Sequence, residues 1–222
     1  MFVGHYAPAA ALKPLSPKVP LWHLFIAVQF LDYLWAAFIL TGIEKARVAP
    51  GFLAASDLDL YFMPYTHSLA AALLWAFLGA VLYRKVLNRR AGMAGAALIF
   101  IAIFSHWIAD LLVHAPDLAL YPGSDVRFGL RLWSSLAGSQ ILEGGLLAAG
   151  LFLYWQGTEA KGVMGHVSLI LLTAVFLLLQ IYNIGAPTPP DIQSVAKSAL
   201  AAYTLFVLLA LFADVTRRPR AA

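Results

Sequence analysis

The feature that most constrains this chain is a series of six apolar stretches, each long enough to cross a lipid bilayer. A spanning helix needs about 20 mostly apolar residues, and lipid offers no partner to an unpaired backbone group, so each stretch must be helical. The stretches are too long, and alternate too little, for the strands of a membrane barrel. They cover residues 21–42, 64–82, 92–113, 136–155, 163–184 and 195–215. The sequence therefore predicts an all-α, polytopic membrane protein in which residues 1–222 form one bundle of about six transmembrane helices.

Composition excludes several classes of protein. Hydrophobic residues make up 62% of the chain and charged residues only 12%, whereas a soluble domain is about 25% charged. A soluble enzyme, a disordered chain and a nucleic-acid binder are therefore poor interpretations, and no nucleic-acid partner is expected. The chain has no cysteine, which excludes disulfides, cysteine nucleophiles and thiolate metal sites. Any metal must be held by His, Asp and Glu.

The basic residues predict the orientation in the membrane. Ten Lys and Arg residues fall on the side of the 84–90 connector and the 217–220 tail, and five fall on the other side. The positive-inside rule then places both termini in the cytoplasm and loops 43–63 and 114–135 outside. Four prolines interrupt residues 1–20, which predicts an interfacial or re-entrant segment rather than a signal peptide.

Charged and imidazole side chains recur within the apolar stretches, where burying each one in the membrane is costly and requires a structural or functional explanation. A charge near the bilayer centre costs at least about 2.5–3.5 kcal/mol. Under the predicted topology these residues lie near mid-depth or in the outer half of the membrane, and so they converge on one level. They are Asp32, His67, His106, Asp110, His114 and Glu143.

The third stretch carries the strongest signal for a metal site. His106, Asp110 and His114 follow one another at i, i+4 and i+8, so they share a helix face and climb about 12 Å along it. With His67 and Asp32 from other helices they make a mixed nitrogen and oxygen set, which suits zinc, manganese or iron. The number of ligands allows one or two divalent ions, of which zinc is the expected one.

Three other residues are candidates for work on a substrate. Glu143, in the fourth stretch, is the candidate general base. Arg127 and Arg131, in the second outer loop, could orient a phosphate or carboxylate, or could simply be solvated loop charges.

The glycine pair that follows Glu143 has a structural interpretation. Gly144 and Gly145 are expected to permit a close helix approach.

Two alternatives from other classes remain open. Intramembrane His and Asp chains also mark proton relays, so the chain could be a proton-coupled transporter. Such a pathway predicts polar residues in both halves of the membrane, yet the inner halves here are almost wholly apolar. The cluster could also be hydrogen-bonded glue between helices in an accessory subunit associated with other membrane proteins. Metal content separates both alternatives from a metalloenzyme.

Several motifs also carry a family resemblance over about the first two-thirds of the chain. They are Gly4-His5, Phe30-Leu-Asp32, Tyr65-Thr-His67-Ser68-Leu69 and Ser105-His106-Trp-x2-Asp110-x3-His114-x-Pro-Asp117. In order and spacing they resemble the bacterial inner-membrane family described as membrane-bound metal-dependent hydrolases. The order also resembles the ligand pattern of zinc-dependent phospholipases C, which His5, Asp32, His67, His106 and Asp110 match; His114 and Glu143 are candidates by chemistry alone.

The resemblance implies a hydrolase in the bacterial inner membrane with a metal held by these residues. A site at this depth suits an amphiphilic, lipid-like substrate with an ester or phosphodiester bond, presented by the surrounding membrane lipid. His5 is the weakest ligand, because the predicted topology puts it on the cytoplasmic side unless residues 2–12 dip into the membrane.

Overall fold

The chain folds into a helical bundle that carries a short hairpin at one end. The structure is a computed structural model that describes residues 1–220. Its helices are α1 (Tyr6–Leu12), α2 (Leu21–Val28), α3 (Phe30–Thr41), α4 (Leu69–Leu82), α5 (Gly92–Val113), α6 (Leu136–Gly157), α7 (Val163–Ile184) and α8 (Ile192–Thr216). Its strands pair as three antiparallel ribbons, β1 (Lys45–Leu53) with β2 (Ser56–Phe62), β3 (Leu118–Ala119) with β4 (Arg127–Phe128), and β5 (Thr158–Ala160) with β6 (Arg217–Pro219).

The predicted fold class is confirmed. Five helical segments are long and apolar enough to cross a membrane, and α2 with α3 makes a sixth crossing if the bent pair counts as one span. The predicted stretches 92–113 and 163–184 coincide with α5 and α7. The second span begins later than predicted: α4 starts at Leu69, because Ser68 caps it by accepting a hydrogen bond from the Ala71 N–H at 3.2 Å.

The first predicted span is broken instead of continuous. Helices α2 and α3 meet at Gln29 with a bend of 51°. Residues 21–41 contain neither Gly nor Pro, so the break has no local cause in the sequence. It coincides with a tertiary contact, since the Val28 carbonyl beside the break lies 2.7 Å from Nδ1 of His106 on α5.

The N-terminal segment, residues 1–15, lies inside the bundle. It comprises a turn of 3-10 helix (Val3–His5), α1 and a second such turn (Lys13–Leu15), and it contacts α2, α5 and α6. Met1 is 8% exposed, and its α-amino group lies 3.0 Å from Oδ1 of Asp110. The first residues of the chain, with His5, therefore lie inside the bundle, as expected if residues 2–12 form the re-entrant segment. The side of the membrane that each end of the bundle faces stays a prediction.

Two glycines on α6 make room for this segment. A Cβ at Gly150 would approach the Cα of Ala7 to 2.6 Å, and one at Gly157 would approach the Cγ of Pro14 to 2.3 Å. By contrast, a Cβ at Gly144 or Gly145 would meet nothing within 4 Å in the described part of the chain. The prediction that this pair permits a close helix approach is wrong, and the close approach lies one and a half turns further along α6.

The two ends of the bundle differ in what closes them. The β1–β2 hairpin, the β3–β4 ribbon and the connector at residues 185–190 lie at one end, here named the hairpin end. At the opposite end, Lys13 lies 3.4 Å from Asp214 and donates to the Val19 carbonyl at 2.8 Å. These contacts fix the N-terminal segment at its far end, while its first residues point toward the bundle centre.

Candidate functional site

Six predicted ligands come together at one place inside the bundle. They arrive on the N-terminal segment, on α3, on the turn before α4, and on α5 with its C-cap. All four histidines and Asp110 are 3% exposed or less, and the Asp32 side chain is 16% exposed. The name His–Asp cluster is used below for this set of residues, His5, Asp32, His67, His106, Asp110 and His114.

One half of the cluster is organised around two carboxylates. Nε2 of His106 lies 3.1 Å from Oδ2 of Asp110 and 3.5 Å from Oδ1 of Asp32. Nε2 of His67 lies 3.4 Å from the same Asp32 oxygen and 3.6 Å from the same Asp110 oxygen. Two imidazoles and two carboxylates therefore face a common centre.

The other half uses the second oxygen of Asp110. Nε2 of His5 lies 3.1 Å from Oδ1 of Asp110, and Nε2 of His114 lies 3.4 Å from it. The rings of His5 and His106 stack with their centroids 3.7 Å apart, which joins the two halves. Asp110 thus presents one oxygen to each half, and its Oδ1 also accepts from the Met1 ammonium at 3.0 Å.

The distances test whether these residues fit a metal. Ligand atoms about 2.0–2.2 Å from a tetrahedral zinc lie about 3.3–3.6 Å from one another. The nitrogen–oxygen separations in the cluster run from 3.1 to 3.6 Å. Charge-assisted hydrogen bonds between such groups are shorter, about 2.7–2.9 Å. In addition, both ring nitrogens of His5 and Nε2 of His106 have no aligned hydrogen-bond partner among residues 1–220. The donor set fits a metal.

Hydrogen bonds on the outer ring nitrogens turn the inner nitrogens toward the centre. Metal-binding histidines usually donate their second N–H to a carbonyl or a carboxylate. Nδ1 of His106 lies 2.7 Å from the Val28 carbonyl, and Nδ1 of His114 lies 3.0 Å from Oδ1 of Asp117. A carbonyl only accepts, so Nδ1 of His106 carries the proton, and the neutral ring then has its lone pair on Nε2.

His67 is held by a longer relay that begins outside the spans. The Thr66 hydroxyl donates to Oε2 of Glu44 at 2.6 Å, so it can only accept from Nδ1 of His67 at 2.7 Å. The Tyr65 and Thr66 N–H groups donate to Oε1 of Glu44 at 2.8 and 2.9 Å. Burial raises the pKa of Glu44, and its hydrogen bonds with Thr66 and Tyr65 oppose that rise. The relay leaves the Nε2 lone pair of the neutral ring free to bind a metal.

Asp32 is positioned from the last helix. The Tyr203 hydroxyl, on α8, donates to Oδ2 of Asp32 at 2.8 Å and leaves Oδ1 for His67 and His106. Tyr203 is 4% exposed. Tyr203 is not among the predicted site residues; its phenol within an apolar helix was the available signal.

Glu143 lies beside the cluster and contacts the N-terminal segment, which the amino-acid sequence did not indicate. Its Oε2 accepts hydrogen bonds from the backbone N–H groups of Phe2 at 3.0 Å and Gly4 at 3.4 Å. The residue is 6% exposed and lines the same cavity as the cluster. Glu143 therefore anchors the segment that carries His5, and its predicted role as a base stays a prediction.

Arg127 and Arg131 lie elsewhere. Both are exposed, and neither lines the cavity at the cluster. Nη1 of Arg127 donates to the Asp117 carbonyl at 3.4 Å, and Arg131 adopts a left-handed backbone conformation before a 3-10 turn. This placement agrees with solvated loop charges and gives no support to the prediction that they bind a substrate.

A cavity of about 530 Å³ runs from the cluster toward the hairpin end. Small-molecule sites usually have about 300–1,000 Å³, so the space exceeds what ions and a few waters need. Cluster residues Asp32, His67, Asp110 and His114 line part of it, and most of the remainder is lined by α6, α7, α8, the β1–β2 hairpin and the 185–190 connector.

Comparison with known proteins adds a family to this geometry. No curated protein and no solved structure matches the chain. A family described as YdjM inner membrane protein matches residues 64–186, which is 123 of the 222 residues and includes His67, His106, Asp110, His114 and Glu143. His5, Asp32 and Tyr203 lie outside the matched range. The chain belongs to the YdjM inner membrane protein family, and it is a multi-pass protein of the inner membrane.

Proposed function

We propose that this protein is a membrane-embedded, metal-dependent hydrolase of a lipid-like ester or phosphodiester. The observation that carries the proposal is the spacing of the cluster, because four of its six nitrogen–oxygen separations, at 3.4–3.6 Å, match the edges of a tetrahedral zinc site. The other two, at 3.1 Å, are slightly shorter than such an edge. The buried Asp32 and Asp110 carboxylates also need positive charge nearby, which a divalent ion supplies.

The two halves of the cluster support two binding positions. Asp32, His67, His106 and Oδ2 of Asp110 would hold one zinc ion, and His5, His114 and Oδ1 of Asp110 would contribute to a second. When bound, zinc supplies Lewis acidity that makes a water molecule nucleophilic at neutral pH. Asp110 would then fix the distance between the positions.

The residues around the ions have separate tasks in this proposal. Glu143 accepts the proton of the attacking water; both of its hydrogen bonds in the described chain end on Oε2, so Oε1 is available for that proton. Tyr203 holds the side chain of Asp32 in place, and Thr66 with Glu44 holds the ring of His67. The apolar cavity wall binds the remainder of an amphiphilic substrate, delivered from the membrane lipid.

A structural role is the second candidate, because the Met1 ammonium lies 3.0 Å from Asp110 and supplies a positive charge without a metal. In that case protonated histidines neutralise the remaining carboxylate, and the protein is an accessory subunit. It would contain no stoichiometric metal.

Removal and return of the metal test the hydrolase directly. Purified protein in detergent is expected to hydrolyse a chromogenic phosphodiester or ester that bears an acyl chain. Chelation with 1,10-phenanthroline should abolish that activity, and added zinc should restore it, because the attacking water depends on the ion. A metal-free protein that remains fully active, or one that never binds zinc, would contradict the proposal.

A substitution in the relay tests the orientation of His67. In Thr66→Val the residue keeps its volume but offers no acceptor to Nδ1 of His67, whereas Thr66→Ser retains the hydroxyl and serves as the control. We expect zinc affinity, measured by competition with a chromogenic chelator, to fall about 10- to 100-fold in the valine variant alone. Equal affinities in the two variants would show that the relay does not act on the metal.

A further inference from the structure

The cavity beyond the cluster has a polar end and an apolar branch. The branch is defined here as the part of the cavity between α6, α7 and α8, where the lining includes the apolar Leu136, Leu179, Val195, Ala199 and Ala202 and the polar Asn183 and Ser198. The whole cavity, at about 530 Å³, has the volume of about 18 molecules of liquid water. An apolar channel of this kind, joined to a buried charged site, fits a molecule whose polar group and hydrocarbon chain are joined end to end.

A pair of amides lies between the two ends. Gln140 on α6 and Gln180 on α7 both line the cavity, and Nε2 of Gln180 donates to Oε1 of Gln140. Each amide has two donors and an acceptor with two lone pairs, so one shared hydrogen bond leaves most of this capacity unused. Such groups in transmembrane helices suit the uncharged ester and hydroxyl groups that link a lipid headgroup to its chains.

The rim of the branch faces the surroundings of the bundle at the hairpin end. Leu136 on α6 is 40% exposed, and Tyr182 and Ile184 on α7 are 60% and 50% exposed. On the side of the cavity that faces the loops, a hydrogen bond from the Thr188 hydroxyl to Asp57 joins the 185–190 connector to the β1–β2 hairpin. The apolar rim and the joined loops favour access from the bilayer.

We infer that this branch is the acyl-chain channel of the site. A membrane lipid enters sideways past the rim formed by α6 and α7, its chain lies between α6, α7 and α8, and its glycerol ester region binds the Gln140–Gln180 pair. The headgroup linkage then reaches the His–Asp cluster. This assignment rests on the proposed function for the reaction, although occupancy of the channel can be measured without any turnover.

Photolabelling in a bilayer tests the channel. The protein is reconstituted in vesicles of phosphatidylethanolamine and phosphatidylglycerol that contain a phosphatidylglycerol with a diazirine on its acyl chain, and labelled peptides are mapped by mass spectrometry. We expect labels on cavity-lining residues such as Leu179 and Ala202, besides the exposed faces that touch lipid in any case. Labels on exposed faces alone, such as Phe77 on α4, would refute the channel.

Variants that fill the channel provide the matched comparison. Ala199→Trp and Ala202→Trp place an indole in the branch, whereas Leu205→Trp places it on an exposed part of α8. The first two should lose most of the internal labelling and keep the zinc content of the wild type; the third should keep both. Internal labelling that persists in both filled variants would overturn the inference.

Two further outcomes separate the channel from the hydrolase. If the filled variants misfold, an excess of unlabelled lysophospholipid should displace the internal labels of the wild type and spare the external ones; failure to displace them would count against a lipid channel. A protein without zinc that is still labelled internally would refute the hydrolase and retain the channel. A protein that binds zinc but is labelled only on its exposed faces would refute the channel and retain the hydrolase.

Discussion

Asp110→Ala is expected to empty the site of metal. Its two oxygens serve both halves of the cluster, and so its loss removes a ligand from each position at once. Zinc affinity should fall by more than about 100-fold, the upper end of the effect expected when only an outer hydrogen-bond partner is lost. Elemental analysis of the purified variant, beside wild type, measures this loss.

Two further variants are compared with Asp110→Ala: one removes a single candidate ligand, and the other changes a histidine on the protein surface. His106→Ala removes one ligand from one position and is expected to lower the zinc content strongly. His166→Gln changes an exposed residue of α7 and should leave the content unchanged. Both cluster variants should still insert, because removing a buried polar group favours insertion. If Asp110→Ala and His106→Ala retained stoichiometric zinc, the metal site would be disproved.

Glu143→Gln is expected to separate catalysis from structure. Glutamine keeps an oxygen that can accept from the Phe2 and Gly4 N–H groups, so the N-terminal segment should stay in place. It cannot accept the proton of the attacking water, and hydrolysis of the acyl phosphodiester should fall by about 100-fold or more at unchanged zinc content. Turnover and zinc are measured on the same sample.

Other outcomes for Glu143 have distinct signatures. If it were only the anchor of the N-terminal segment, Glu143→Ala would lower thermal stability and zinc content together while Glu143→Gln left turnover intact. Full activity in Glu143→Gln would therefore remove it from the proposed chemistry.

The spans were predictable because they depend on length and apolarity alone. Stretches 92–113 and 163–184 have the same bounds in the structure, whereas α4 starts at Leu69 instead of residue 64, because Ser68 caps it. The break at Gln29 was not predictable, because it coincides with a contact to a histidine 78 positions further along the chain. The sequence likewise predicts only a long outer loop at residues 43–63, where the structure has the β1–β2 hairpin.

The residues that form the cluster were predictable from a different rule. Charged and imidazole groups inside a membrane are rare enough that each one marks a place of interest. The position of His5 was predicted only on the condition that residues 2–12 dip into the membrane. The contact that seats this segment, where Gly150 leaves space for the Ala7 backbone, was not predictable from either local sequence. Glu44 and Thr66 were missed for a similar reason, since they act through His67 from a loop.

The hydrogen bond between Tyr203 and Asp32 has a consequence for the synthesis of the protein. The two residues are separated by 171 positions, which a ribosome translates in about 10–30 s at ordinary rates. During that interval the helix with Asp32 is already in the membrane, without the phenol that later holds it. A chain stopped before α8 would lack the hydroxyl that orients Asp32, so the cluster reaches its final geometry only after the last helix has been made.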